Sequence, residues 1–546
     1  MIKLFRTLLD ISIRDYLGKE IKCFVLLILY TGTNLIFPTF VSLIIDRGIA
    51  NGNLKRIIVY SFAMLIVGLF SVIFQYFQQV SFYRLGKELV ISIKQRAYRI
   101  LIKSNMKFWT QNSTGDTLII LEEDISILEN LLTTTISNCI VNIFVIIGIS
   151  IFIFTIEWKC GILILTLALL FAKLQRTFGP AIEKSMDKLR KNIGKLATYT
   201  NETLQNANEL QAAGYENVVC DKYSELNKAV VSATMQQIKV VTGAQSAGNL
   251  FNIFGLLIVI SFGAYQVING DITVGVLFAL TVYVQRLYGP IVSISNAYIE
   301  IKNSLPKIKK VMDLLQNPHV IESGQYIPDK KLFESLRLEN ICFSYDGKKV
   351  LDFFNFSIRR GEIVGIIGRN GIGKSTILKL ILNLSLPDCG EVLLNNISIR
   401  DYDNEFIRKK IGYVGQSGVL ISGTLREILD PTKMHSDYEI KEMMYEFGMH
   451  MDRFEQELDT YIDENHRNLS GGEFQKIALI RAFLESKELY LLDEPTSAID
   501  ENAEELLCNK IQEKLYGKTA IIITHRPKIL EICDRVLDMP SKIMWC

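Results

Sequence analysis

Charged and uncharged positions are segregated along this chain. Four stretches carry no charge at all: Cys23–Ile45, Ile57–Tyr83, Asn130–Ile156 and Val240–Gly270. Each exceeds the roughly 20 residues that an α-helix needs to cross a bilayer, so each is predicted to span one. Two shorter runs, Cys160–Ala172 and Ile272–Gln285, stop at Lys173 and Arg286. Each follows a span through a very short connection, "EWK" or "D", so the chain must re-enter the membrane there. The pattern therefore predicts six spans. Residues 84–128 are rich in Lys and Arg and residues 173–239 in both signs, whereas the loops at 46–56, 157–159 and 271 are short. The positive-inside rule places both termini and the two long loops in the cytoplasm. Those loops hold few helix breakers, which predicts helices extending well beyond the bilayer.

The pattern changes after "QNPHVIESGQYIPDKK" (316–331), a linker with few apolar residues. Three regions follow: 1–315 in the membrane, 316–331 as linker, and a soluble 332–546. In the last, strand-like runs such as "EIVGIIG" and "TAIIITH" alternate with helical ones. The expected fold is a six-helix membrane bundle joined to an α/β P-loop NTPase domain with a helical subdomain.

Composition adds limits. With 60 Lys+Arg against 58 Asp+Glu the net charge is +2, which gives no bias toward nucleic acid. The 9 cysteines show no CxxC pair and no zinc spacing, and suit a reducing cytosol or membrane interior better than a disulfide framework. The first apolar run is too long for a cleavable signal, and only a short charged segment precedes it, so no leader and no peptidase domain is expected there.

The chemistry sits in the soluble part. "GRNGIGKST" (Gly368, Arg369, Asn370, Gly371, Ile372, Gly373, Lys374, Ser375, Thr376) lies between an apolar strand and a helix. Gly371 and Gly373 let backbone N–H groups curl around phosphates, Lys374 supplies a cation to the β- and γ-phosphates, and Ser375 a hydroxyl for Mg²⁺. A second strand, "LYLLDEP", ends in Asp493 and Glu494. The first carboxylate is placed to hold Mg²⁺ and the second to polarise an attacking water. His525 follows "TAIIIT" at another strand end, where contact with a γ-phosphate is expected. "NLSGGEFQ" (468–475) is a half-site: two glycines open a helix, with no lysine and no metal ligand.

Together these residues resemble the nucleotide-binding domain of an ATP-binding cassette (ABC) transporter, and the whole chain resembles an exporter half-transporter. The resemblance implies ATP and Mg²⁺ as ligands, with Ser375, Gln416 and Asp493 at the metal. It implies that Glu494, His525 and Lys374 are catalytic, that Gln416 of "YVGQ" is the Q-loop glutamine, and that Asp500 of "SAID" is the D-loop acid. Tyr345 of "CFSYDG" would stack on adenine. Ser470, Gly471 and Gly472 would close over the nucleotide of a second chain, which implies a dimer. The intact set favours a homodimer, and Glu473, where the family usually has Gln, leaves room for a heterodimer. "YIDENHRNLSGG" resembles the exporter X-loop, keeping Glu464 but with Asp463 and His466 in place of glycines, and the end at "SKIMWC" reads as a truncated edge. In the membrane half, "FWTQNSTGDTLIILEEDI" (108–125), "ETLQNANELQAAGYEN" (202–217) and the run from Gly270 resemble exporter loops and the sixth span.

The implied protein is a multi-pass cell-membrane exporter with its ATP-binding domain in the cytoplasm. Its cargo is expected to be a small or modified peptide; a lipid, lipid-linked molecule or drug is the alternative, and a regulatory ATPase that gates a partner is a third. Lys173 and Arg286, each about 20 Å down its helix from the outer end, either line a cationic cavity or snorkel to the inner headgroups.

Overall fold

A computed structural model describes residues 13–316, 319–328, 333–345, 347–416, 422–463 and 469–539. The chain forms two compact units, residues 1–99 with 117–316 and residues 100–116 with 317–546. Glu464, His466 and the terminal "SKIMWC" lie outside the described residues.

The first unit is built from six helical rods long and apolar enough to cross a membrane. They are α1 (Ile13–Leu43, continued by a π-helical turn Ile44–Ile49), α2 (Leu54–Lys103), a segmented third rod, α5 (Trp158–Gln205), α6 (Glu216–Ile268) and α7 (Val274–Gln316). Between α2 and α5 lie α3 (Met106–Gln111) and α4 (Ile136–Ile156), the latter completing the third rod after two π-helical turns. All six expected spans fall in these rods. The two shorter runs prove to be the N-terminal parts of long helices, so Lys173 and Arg286 are mid-helix positions. Helices of 48 residues in α5 and 53 in α6 are ~70–80 Å long, far more than the ~30 Å of hydrocarbon requires.

Packing between rods is specific where a backbone group has lost its partner. Pro38 inside α1 has no N–H, so the carbonyl of Asn34 loses its helical donor. Arg286 of α7 fills the gap: Nη1 donates to Asn34 O at 2.8 Å and to Asn34 Oδ1, with the guanidinium 5.0 Å from the Phe37 ring centroid. Next to it, buried Tyr283 donates its hydroxyl to Leu35 O. Of the two cations left open between cavity lining and snorkelling, Arg286 directs its charge into α1, and Lys173 is exposed on α5. At the other end of α7, Gly275 N donates to Asp46 Oδ1 at 2.9 Å and Val276 N to Thr273 Oγ1 at 3.2 Å. These caps start the helix at Val274, two residues after the apolar run begins.

The second unit holds two main sheets. One has the order β2-β1-β4-β5, from β1 (Ser335–Tyr345), β2 (Lys348–Arg359), β4 (Cys389–Leu394) and β5 (Ile397–Ser398), all antiparallel. The other is parallel, β11-β3-β10-β9-β6, from β3 (Ile363–Ile367), β6 (Ile411–Val414), β9 (Leu489–Asp493), β10 (Thr519–Ile523) and β11 (Arg535–Asp538). Strands β9 and β10 are buried throughout, as continuous apolar runs in a parallel sheet should be. A two-residue ladder, β7 (Gly423–Thr424) with β8 (Tyr461–Ile462), borders a helical cluster that includes α9 (Asp437–Glu446) and whose core includes Leu425, Met444, Phe447 and Ile480.

Residues 100–116 pack inside this second unit. Asn105 caps α3 by accepting from Phe108 N at 2.9 Å, and its own N–H donates to His319 O at 2.7 Å. Met106 N donates to Leu384 O at 3.0 Å, and the Phe108 ring lies 5.6 Å from that of His319. The cysteines also depart from expectation at one pair. Cys342 and Cys389, opposite each other on β1 and β4, form a disulfide. Their separation of 47 residues hid the pairing, which depends on strand register.

Candidate functional site

Neighbouring parallel strands β3, β10 and β9 end at one edge, and each delivers a loop there. From β3 the chain enters the glycine turn and then α8 (Lys374–Ile381). Gly371 (φ 80°) and Gly373 (φ 111°) lie in the left-handed region that excludes most side chains. At Gly373 a Cβ would also come within 2.7 Å of Val350 Cγ1. Lys374 Nζ donates to Gly368 O at 2.5 Å and Arg369 O at 3.2 Å, and lies 3.1 Å from His525 Nε2.

Strand β9 ends in two carboxylates with different surroundings. Asp493 is 4% exposed; burial pushes its carboxyl above the usual range, and a hydrogen bond from Ser375 opposes that. Glu494 adopts φ 51°, unusual for a non-glycine residue, and is held by its N–H donating to Ile523 O at 2.7 Å. Gln416 Nε2 reaches Glu494 Oε2 at 3.4 Å.

An open cavity of about 550 Å³ is lined by Tyr345, Asn370, Gly371, Gly373, Lys374, Ser375, Thr376, Gln416, Asp493 and Glu494. The Tyr345 hydroxyl lies 3.5 Å from Thr376 Oγ1, and its ring meets Phe343 edge-on. Met106, Thr110, Val350 and Lys379 complete the lining; sequence reasoning missed all four. Of these, Lys379 had a legible signal, a cation one turn beyond Ser375 on the same helix. Gly368, Arg369 and Ile372 shape the turn without lining the cavity, and exposed His525 reaches it through Lys374.

Ser470, Gly471 and Gly472 do not line this cavity. Ser470 caps α10 (Gly471–Leu484) in a reciprocal box: its Oγ accepts from Glu473 N at 3.2 Å, and its N–H donates to Glu473 Oε2 at 2.7 Å. The other Glu473 oxygen accepts from Arg453 Nε at 3.1 Å. Burial alone would raise the Glu473 carboxyl, but the hydrogen bonds from Ser470 and the Arg453 charge outweigh it and hold it below the ordinary range. Asp500 also stands outside the cavity; it caps α11 (Glu501–Leu515) by accepting from Ala503 N at 2.7 Å.

Two further residues tie these parts together. Gln475, buried on α10, donates to Glu494 O at 2.6 Å and Ser497 Oγ at 3.2 Å and accepts from Ala498 N at 2.9 Å. Arg526 donates to Ser497 O at 3.0 Å and pairs with Glu504 at 3.2 Å. Gln475 could have been suspected as an amide inside an apolar helical run; Arg526 carried no signal beyond following His525.

Comparison with known proteins is consistent across the chain. Residues 21–291 match the family model for the ABC transporter transmembrane region and residues 351–497 the model for the ABC transporter. An ATP-dependent lipid A-core flippase of Syntrophus aciditrophicus (strain SB) is 25% identical over 466 residues, 85% of this chain and 78% of that protein. The uncharacterized ABC transporter ATP-binding protein YwjA of Bacillus subtilis (strain 168) is 27% identical, covering 92% and 88%. The leukotoxin translocation ATP-binding protein LktB of Mannheimia haemolytica is 24% identical, covering 92% and 72%. The solved structure of a bacterial Atm1-family ABC exporter with ATP bound superposes with a TM-score of 0.82 at 20% identity, over 97% of this chain and 94% of that one.

Proposed function

Since this chain belongs to the ABC transporters, as an exporter with its membrane region and ATPase fused in one polypeptide, we propose which residues carry its cycle and what it moves. It is a membrane protein that binds ATP and couples ATP hydrolysis to transport.

The observation that carries the assignment is Glu494: a strained carboxylate at the end of β9, beside buried Asp493, facing the cavity that the glycine turn also lines. In our reading Glu494 orients and deprotonates the attacking water. Lys374 exchanges its carbonyl acceptors for β- and γ-phosphate oxygens, the N–H groups from Gly371 to Thr376 cradle the phosphates, and Tyr345 stacks on adenine. His525, within reach of Lys374, senses the γ-phosphate. Arg369, Asn370 and Ile372 keep the turn's shape. Ser375, Gln416 and Asp493 would hold Mg²⁺, which neutralises phosphate charge when bound; the buried Asp493 beside the Ser375 hydroxyl fits such a cation.

The partner is a second copy of the chain, whose Ser470, Gly471 and Gly472 close over this nucleotide; within one chain these three residues do not line the cavity. Asp500 fixes the start of α11 beside the same interface. Leu204, Tyr215 and Val218, at the turn between α5 and α6, are each more than half exposed, which suits burial against that copy. Residues 332–546 would lie in the cytoplasm, and the cargo is a small or modified peptide. The similarity to a lipid A-core flippase favours a lipid as the second reading.

Glu494→Gln should lower ATP turnover at least about a hundredfold while leaving equilibrium ATP binding unchanged. Wild-type turnover in that variant would remove the assignment. Stimulation of turnover in liposomes by peptides, set against lipid A-like lipids, separates the two cargo readings.

A further inference from the structure

Cys342 and Cys389 occupy an unusual place. They are the last paired position between β1 and β4, after an irregularity at Glu339–Cys342 where Asn340 turns to φ 51°. Beyond them β1 runs on to Tyr345, paired among the described residues with β2 alone. The disulfide therefore fastens the end of β1 three residues before the ring proposed to stack on adenine. The chain it encloses, residues 342–389, contains the whole glycine turn and α8. Cys389 is partly exposed, while Cys342 is buried at 9% exposure.

We propose that Cys342 and Cys389 form a reversible thiol–disulfide site that sets the affinity of the nucleotide cavity. This rests on the functional reading given above. A disulfide in a domain bathed by a reducing cytosol is a transient, sensing bond in ordinary cases, so both states of the pair matter. Oxidation takes the electrons to a low-molecular-weight disulfide such as glutathione disulfide. The more accessible Cys389 thiolate attacks one of its sulfurs, forming a mixed disulfide and releasing one glutathione thiolate. The Cys342 thiolate then attacks the Cys389 sulfur and releases the second glutathione. Two protein thiols are oxidised, one glutathione disulfide is reduced, and the two thiol protons leave with the released thiols. The bonded state holds β1 and Tyr345 in place before nucleotide arrives, so it binds ATP more tightly.

The test uses the full chain in liposomes, equilibrated in buffers of reduced and oxidised glutathione. Non-reducing peptide mapping reports the bond, and ATP affinity is measured in each buffer. The expected result is a Cys342–Cys389 cross-link under oxidation and about fivefold weaker ATP binding after reduction. Cys342→Ser should remain at the reduced value in both buffers. Equal affinity in the two states, or no cross-link in a protein that still binds ATP, would overturn the switch. Failure to bind ATP in either buffer would instead bring down the reading of the cavity itself, and the switch with it.

Discussion

Glu473 puts a carboxylate at the start of α10, where it ties Ser470 N–H and Arg453 together. An added negative charge beside a helix start proposed to meet phosphate is unfavourable unless it is neutralised, and Arg453 does that. Arg453→Gln should therefore raise the KM for ATP about threefold with little change in kcat, and adding Glu473→Gln should restore it. A double variant no better than Arg453→Gln alone would refute this charge balance. The same carboxylate has its folded pKa below its unfolded one, so its stabilisation is present above the ordinary glutamate range and disappears as pH falls through the folded value. Glu473→Gln should lower the thermal midpoint at neutral pH, and the gap from wild type should close in acid. Glu473 was legible as a departure in its motif. Arg453 was not, because it lies 20 residues upstream in a short turn with no pattern of its own.

Among the elements, the apolar runs announced six spans and the buried strands beside the glycine turn, because burial in lipid and burial in a parallel sheet both demand uninterrupted apolar sequence. What they could not announce was the partner of a mid-membrane charge. Arg286 reaches Asn34 across 252 positions, to fill a vacancy made by Pro38 four residues further along α1. Arg286→Gln should cost about 2 kcal/mol, the usual penalty for a buried carbonyl left without a donor. In a Pro38→Ala background, where the helix again supplies an N–H, less than half of that cost should remain. Thermal unfolding of the four proteins in detergent measures the coupling, and an unchanged cost would refute the explanation. Likewise the bulge at Asn340 and the register that joins Cys342 to Cys389 are properties of paired strands, invisible in either strand alone.

At the scale of the molecule, the proposed composite site makes a prediction about mixtures. Lys374→Ala and Ser470→Arg chains should each be inactive alone. In a two-fold dimer, half of the mixed pairs' sites are intact, so mixing the chains should restore about a quarter of wild-type turnover. No recovery would mean that each site is complete within one chain. The long helices were readable from composition, but the allocation of residues 100–116 to the second unit was not, since nothing in "ILIKSNMKFWTQNSTGD" marks its neighbours. That allocation bears on how the protein is made. Met106 finds its backbone partner at Leu384, so this segment leaves the ribosome roughly 280 residues before the surface it joins. At ~10 residues per second it waits about half a minute, with Phe108 uncovered, before that surface is made. A gene fragment beginning at the linker would make the same unit with that place permanently empty.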